Sequence, residues 1–485
     1  MEFVENKEVE KAQLKEIFRD MIKYSPSKFC GMLGNAIIVP VYTSLLTPEE
    51  YGLYSLSIAV LSFLCILFSD WIGLSGLRFF RQHQLTQDMP KYLTTLVTML
   101  TTNLVLMFIV AYIFRNNFFE FFHIPVKYFM AILVLIIPVA IRALLFQLLR
   151  AQLKSISFTL STIINQILTI GLSIFFAKYF HLGAMSLLLG MGISISLIDI
   201  LLIYQSNILS WFKFQRVEWN TILPIMKYGV PLAITSLSAW IINQSNKFIM
   251  NSISGFSDVG LVGVAYGLTL PLLMTIFSII TVAAVPRIIN MYEEKIDVRP
   301  IISRFTGYYI MIALPIITVI SMYAPDYVLM LSSGDKFQMA FKLIPFFAFG
   351  TFFMALSDYT TLQYHLANKT YIEFIIKLVS GAVGIVANIV LIPKHGLIGA
   401  GIATFSANFL YFLLSTIIVL PGLRLKYPTL IMVRMLIAYI PFVSLSFVFK
   451  NYIHFQPLFE MLALMIAFYA CYWTLANTVL KRKNA

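Results

Sequence analysis

Six basic residues stand inside or at the edges of long apolar stretches: Lys28, Arg78, Arg142, Lys247, Arg287 and Lys377. A cation in such a place anchors at an interface, pairs with an acid, or holds an anionic ligand. Arg grips an oxyanion through a planar fork and Lys through a compact point charge. Each position also has a plainer reading. Lys28, in Ser27-Lys28-x-x-Gly31, is placed to snorkel to an interface. Arg78 and Arg287 close corresponding apolar stretches, as interface anchors do. Arg142 follows Pro138 and is deeper than an anchor needs. Lys247 falls at an end where positive charge is otherwise scarce. Lys377 follows Glu373 by four residues, the favourable order for a helical ion pair.

Three carboxylates, Asp70, Asp199 and Asp358, are candidates to bind a coupling ion, a proton or sodium; each could instead pair with a local Arg. The amides Asn35, Asn165, Gln166, Asn243, Asn388 and Asn408 read as hydrogen-bonding links between helices. Nothing reads as catalytic machinery. The three cysteines (Cys30, Cys65, Cys471) lie in apolar runs, the six histidines are scattered, and no metal spacing or cofactor motif occurs. The expectation is no enzyme, no cofactor and no metal.

The elements that hold these residues follow from composition. Of 485 residues, 59% are hydrophobic and 12% charged, against about 25% charged in a soluble domain. That excludes a soluble enzyme, a disordered chain and a disulfide-stapled secreted domain. A spanning helix needs about 20 apolar residues. Candidates fall near 25–46, 52–73, 92–114, 125–148, 157–177, 183–205, 221–243, 259–284, 300–323, 339–360, 371–392, 397–420, 429–449 and 455–479. The breaks at Lys178–Leu182 and Pro393–Gly396 are the narrowest. The longest loops are expected at 206–220 and 285–299.

Residues 1–24 alternate Lys7, Lys11, Lys15, Arg19 and Lys23 against Leu14, Ile17, Phe18, Met21 and Ile22, the pattern of a helix on a membrane surface. With that segment cytoplasmic, most of the 35 basic residues fall on the cytoplasmic side. The formal charge of +13 is then mainly topology, not a nucleic-acid footprint.

The chain also repeats itself. Gln147-Leu-Leu-Arg150-Ala151 to Phe158 matches Gln363-Tyr-His365-Leu-Ala367 to Phe374 at one offset, which also carries Gly183-Ala184 onto Gly399-Ala400. Gly52-Leu53 and Arg78 match Gly260-Leu261 and Arg287 at nearby offsets. Two tandem six-helix lobes follow, with a cavity expected between them. The first span (Gly31, Gly34, Pro40) and the seventh (Gly229, Pro231) are expected to be interrupted, as transport-site helices are. The predicted class is an all-α integral membrane protein of about 14 transmembrane helices. Its organisation is a cytoplasmic amphipathic segment 1–24, an N-lobe 25–205, a linker 206–220, a C-lobe 221–420, and two last spans with a basic tail in 421–485.

Several pieces carry a family likeness: Thr47-Pro-Glu-Glu-Tyr51-Gly52-Leu-Tyr-Ser55; Asp70-Trp-Ile-Gly73-Leu74-Ser-Gly-Leu-Arg78-Phe; Leu149-Arg150-Ala-Gln-Leu-Lys154; Ser245-Asn246-Lys247-Phe-Ile; and Phe256-Ser-Asp258-Val-Gly260. Together with the span plan they resemble the polysaccharide transporter (Wzx-type flippase) family of the MOP exporter superfamily, which has a MATE-like fold. Asn246 departs from the family's frequent Asp. The resemblance implies a flippase of the bacterial cytoplasmic membrane. Its cargo would be an undecaprenyl-pyrophosphate-linked oligosaccharide, turned to the outer leaflet through a cationic inter-lobe cavity for O-antigen, capsule or exopolysaccharide synthesis. Partners would be the pathway's glycosyltransferases and polymerase. Alternatives are a lipid II-type flippase, a multidrug or cation antiporter of the same superfamily, and a membrane glycosyltransferase or polymerase. No loop has room for a separate active site, which weighs against the enzyme.

Overall fold

The computed structural model describes residues 16, 17, 19, 21, 22, 28, 31, 32, 34, 36–115, 117, 122–206, 208, 217–423, 429–452 and 457–483. Most of the amphipathic segment (Leu14, Phe18 and Lys7, Lys11, Lys15, Lys23), together with Ser27, Cys30, Asn35 and most of the 206–220 linker, lies outside them.

The described chain is built of helices: α1 Ala36–Leu45; α2 Pro48–Cys65, running through a π turn Ile66–Asp70 into α3 Trp71–Leu85; α4 Met89–Ile113; α5 Val126–Ala151; α6 Ser155–Phe180; α7 Ala184–Gln205; α8 Trp219–Ser254; α9 Phe256–Glu293; α10 Arg299–Met322; α11 Ala324–Leu331; a 3-10 segment Asp335–Lys342; α12 Ile344–Leu366; α13 Thr370–Ile417; α14 Thr429–Tyr452; and α15 Pro457–Lys483. Nine described helices are long and apolar enough to cross a membrane, or 10 with the bent pair Asp335–Lys342 and Ile344–Leu366. The protein is a multi-pass membrane protein. α13 has 48 residues, about 72 Å of helix, more than twice a bilayer core of about 30 Å. Gly396 breaks it with φ 54° and ψ −128°, so it supplies two spans. The shorter apolar stretches Ala36–Leu45, Ile437–Val448 and Phe459–Thr474 fall in the first, thirteenth and fourteenth expected spans. The arrangement is consistent with the count read from sequence.

Local chemistry explains the ends. Thr47 and Glu50 form a reciprocal capping box with Pro48 in the first turn of α2: the Glu50 N–H donates to Thr47 Oγ1 at 3.3 Å, and the Thr47 N–H to Glu50 Oε2 at 2.9 Å. The Thr-Pro-Glu-Glu motif is thus a helix start.

The turn after α5 places Leu153 at φ 58°, with the Lys154 N–H donating to Leu149 O and the Leu153 N–H to Arg150 O. The turn after α12 repeats it with Asn368 at φ 56°, Lys369 to Tyr364 and Asn368 to His365. The internal repeat is real at this junction, but its register is one residue off the sequence match, which sets Leu153 against Lys369. The left-handed residue fixes the register, and residue identity does not. A second recurring pair is Gln87 (φ 57°) and Lys295 (φ 61°), with matching bonds Asp88 to His83 and Ile296 to Met291. Gly183 (φ 58°, ψ −135°) corresponds in conformation to Gly396. Gly399, its sequence match, sits within the helix.

Three other expectations change. α8 runs unbroken through Gly229 and Pro231. Gly229 is small because a Cβ there would stand 2.6 Å from Ser75 Oγ and 2.9 Å from Trp71 O, which makes it a close-packing position rather than a helix interruption. Pro40 likewise lies within helix. The loop expected at 285–299 is mostly the end of α9, while α11 and the 3-10 segment fill the stretch between the ninth and tenth spans.

The chain divides into two contact units. One comprises Pro40–Gly263 with Gly384–Gly396, and so holds α2 to α8. Leu145 and Leu149 of α5 pack on Ile198 and Leu202 of α7 within it. α7 lies tightly along α6, where a Cβ on Gly190 would meet Ser173 Oγ at 2.6 Å. The other comprises Met1–Val39, Val264–Val383 and Leu397–Ala485. There α14 and α15 dock on α10 through Val319, Tyr323, Ala438, Phe442, Leu464 and Phe468. Many large apolar side chains remain exposed, among them Val134, Ile200, Val386 and Ile466, as a lipid-facing surface requires.

Candidate functional site

In the unit holding α2 to α8, the π turn brings Asp70 to the junction of α2 and α3. Ser69 Oγ donates to Asp70 Oδ1 at 3.4 Å. Such turns insert one extra residue into a helix and recur at functional sites. Arg142, half-buried on α5, lies 6.0 Å from the Phe146 ring centroid. It acts electrostatically on Asp199 of α7 and on Cys65 at the end of α2. Asp199 is 5% exposed. Neither of its carboxylate oxygens has a hydrogen-bond partner among the described residues. A buried carboxylate without hydrogen bonds depends on a nearby cation, and Arg142 is placed to be that cation. Arg142, Asp199, Asp70 and Cys65 thus form one electrostatic neighbourhood, drawn from three helices and the π turn.

Lys247 does not end the seventh span. α8 continues for seven residues to Ser254, and Lys247 is buried in it beside fully buried Asn246. Two residues before Lys247, Ser245 Oγ accepts a bond from Asn388 Nδ2 at 3.5 Å. Asn388 therefore links helices, as expected of a membrane amide. Arg78 is exposed on α3.

In the other unit, Arg287 pairs with Glu16, and Lys28 is half-buried. Lys377 Nζ donates to Glu373 Oε1 at 2.6 Å, the helical pair expected from their spacing. The pair belongs to a larger cluster. His365 Nε2 stands 2.6 Å from Glu373 Oε2. The Tyr411 hydroxyl lies 3.4 Å from both Glu373 Oε1 and Asp358 Oδ1. Lys377 Nζ sits 5.3 Å from the Tyr411 ring centroid. The side chains of Glu373 and Lys377 are 7% and 14% exposed, that of His365 49%. The sequence points to Asp358, Lys377 and Glu373 as charged candidates, carries His365 only as part of the repeat, and gives no sign of Tyr411. The available signal was a histidine in the turn just before Glu373.

No group of three or more His, Cys, Asp or Glu among the described residues is arranged to hold a metal ion.

The sequence model of the family described as "Polysaccharide biosynthesis protein" matches residues 17–292, more than half of the chain. The chain belongs to the polysaccharide biosynthesis protein family. The match runs from the described start of the chain through α9, and takes in the capped start of α2, the π turn, the α5–α6 junction and the α8–α9 turn that carried the resemblance. Among solved structures, the lipid II flippase MurJ in an inward closed conformation is similar with a TM-score of 0.73 at 12% identity, covering 96% of this chain and 100% of that one. An inward-facing multidrug resistance MATE family transporter of the MOP superfamily gives 0.63 at 14% identity, covering 80% and 92%. A MOP superfamily transporter from Pyrococcus furiosus gives 0.51 at 13% identity, covering 82% and 94%. At these identities the likeness is one of fold: this member of the polysaccharide biosynthesis family has the MurJ- and MATE-like fold. A search of curated proteins gives no significant match.

Proposed function

We propose that this protein is a flippase. It carries undecaprenyl-pyrophosphate-linked oligosaccharide repeat units from the cytoplasmic to the outer leaflet of a bacterial cytoplasmic membrane, for O-antigen, capsule or exopolysaccharide synthesis. The observation that carries the reading is the family match joined to a flippase fold: MurJ accounts for 96% of this chain, the MATE transporter for 80%. The physics supports it. A polyprenyl tail can stay in lipid, whereas pyrophosphate and sugars need a polar, cationic route. Arg142 suits that role. Its charge is balanced by Asp199, so an arriving pyrophosphate would compete with a carboxylate for a guanidinium already desolvated. Lys28, Arg78, Lys247, Arg287 and Lys377 are the further proposed cations, with Asp70, Asp199 and Asp358 the proposed coupling-ion groups for H+ or Na+.

The proposed lobes are 25–205 and 221–420, rocking in alternating access with both termini cytoplasmic. The pathway's glycosyltransferases would load the route and its polymerase would empty it.

Deletion in the native host tests the proposal. Lipid-linked repeat units should accumulate on the cytoplasmic face and surface glycan should vanish. Unchanged surface glycan in a host without a redundant exporter refutes it. The MurJ likeness supports a second reading, lipid II export. Under that reading, depletion stops cell-wall synthesis and lyses the cell, while surface glycan is lost only secondarily.

A further inference from the structure

The cluster joining α12 and α13 has a charge balance that selects one proton. Lys377 offsets Glu373 at 2.6 Å. That leaves Asp358 and His365. With no proton on either, the cluster is −1; with a proton on both, it is +1. With one proton it is neutral in either arrangement, as neutral acid with neutral imidazole, or as carboxylate with imidazolium. Net charge on the buried part of the cluster is disfavoured, so the one-proton state is favoured. The titratable groups facing Asp358 are Lys377, Glu373, Tyr411 and His365, with Tyr309 of α10 and neighbouring Tyr359. Glu373 is faced by His365, Lys377, Tyr364 and Tyr411.

We propose that Asp358, Tyr411, Glu373 and His365 form a proton-binding site, with Lys377 as its fixed counter-charge, that holds one exchangeable proton shared between Asp358 and His365. Tyr411 has one hydroxyl hydrogen and two carboxylates at 3.4 Å. When Asp358 is the acid, its proton passes to the Tyr411 oxygen while the Tyr411 hydrogen moves to Glu373. Glu373 in turn gives one proton to His365 Nε2, with Nδ1 carrying the tautomer's hydrogen. Net, one proton leaves Asp358 and one arrives on His365; no electron moves, and Tyr411 and Glu373 end as they began. The two ends lie seven residues apart on α12, about 10 Å along its axis. The half-exposed imidazole is the end open to exchange. The site rests on the flippase reading only for what the proton would drive. Its binding stands independently, so failed glycan export and a failed site are separate results.

The test is pH-difference infrared spectroscopy on the purified full chain in liposomes, where a protonated carboxyl has its own band. Wild type should show a carboxyl band that disappears in Asp358→Asn. In His365→Gln, without the imidazolium to favour the carboxylate, the pH at which the band disappears should rise by up to about one unit, for unit charges about 10 Å apart at an effective dielectric of about 20. His365 is half-exposed, so its variant keeps the test open should Asp358→Asn fold poorly. Absence of a band dependent on Asp358 overturns the proposal, as does an unmoved midpoint in His365→Gln. A band removed by sodium at fixed pH would make this a sodium site and overturn it equally.

Discussion

Substituting Gly52 by Ala probes the crossing of α2 and α9. A Cβ on Gly52 would stand 2.7 Å from the Phe256 carbonyl carbon, with its oxygen closer still; one on Gly260 would stand 2.9 Å from the Pro48 carbonyl carbon. Both obstacles are backbone, so no side-chain rotation makes room. Relaxing the contact to an ordinary carbon–carbon separation, with the nearer oxygen cleared as well, opens the crossing by at least about 1 Å. Overpacking of this kind costs about 1–3 kcal/mol. Gly52→Ala and Gly260→Ala should each lower the melting temperature of the purified protein. Because each breaks the same contact, the double variant should lose less than the sum of the two. The control is Gly171→Ala in α6, where nothing lies within 4 Å; it should be neutral, or more stable by about 0.5–1 kcal/mol. Surface glycan, read in parallel, should fall for the crossing variants and hold for the control. Wild-type melting and export in both Gly52→Ala and Gly260→Ala would refute the crossing as drawn.

Arg142→Ala should impair export while protein level holds, and Arg142→Lys should restore it only in part, because a point charge replaces a bidentate fork; surface glycan against membrane protein content reads this. Thr47→Ala removes the acceptor for the Glu50 N–H and should cost about 1 kcal/mol of stability, measured by thermal unfolding in detergent. Glu373→Gln removes the carboxylate that holds Lys377 at 2.6 Å in a site where both are largely buried and leaves Asp358 as the acid facing it, and should cost about 1.5–3 kcal/mol. The double variant Glu373→Gln/Lys377→Met should recover much of that loss, and a double as unstable as Glu373→Gln alone would count against the pair.

Periodicity and hydropathy are local, and what depends on them was readable in advance. The helices follow the apolar runs, the narrow breaks at Lys178–Leu182 and Pro393–Gly396 are turned by Gly183 and Gly396, and four-residue spacing places Lys377 on Glu373. What failed depends on conformation or on distant chain. Leu153 and Asn368 adopt left-handed turns without being glycine, so residue matching put the repeat one position out of register. Lys247 read as lying at the end of its span, yet the helix runs on past it to its cap at Gly255. Gly229 read as a break and is instead the place where α3 approaches. The two acids of the α12–α13 cluster were visible singly. Their link through Tyr411 was not, since that hydroxyl arrives from the far half of α13.

The π turn at Ile66–Asp70 has a consequence for how this span can vary. It holds one residue more than an α-helix needs, so the faces of α2 and α3 are out of phase by about 100°. Loss of a single residue between 66 and 70 would let the segment relax to α-helix with its hydrogen bonds intact. Trp71, Ser75 and Gly76 would then rotate out of the packed face where they are buried, carrying Arg78 around with them. One membrane span therefore contains a place where length can change without breaking the helix, at the expense of the direction in which its charged end points.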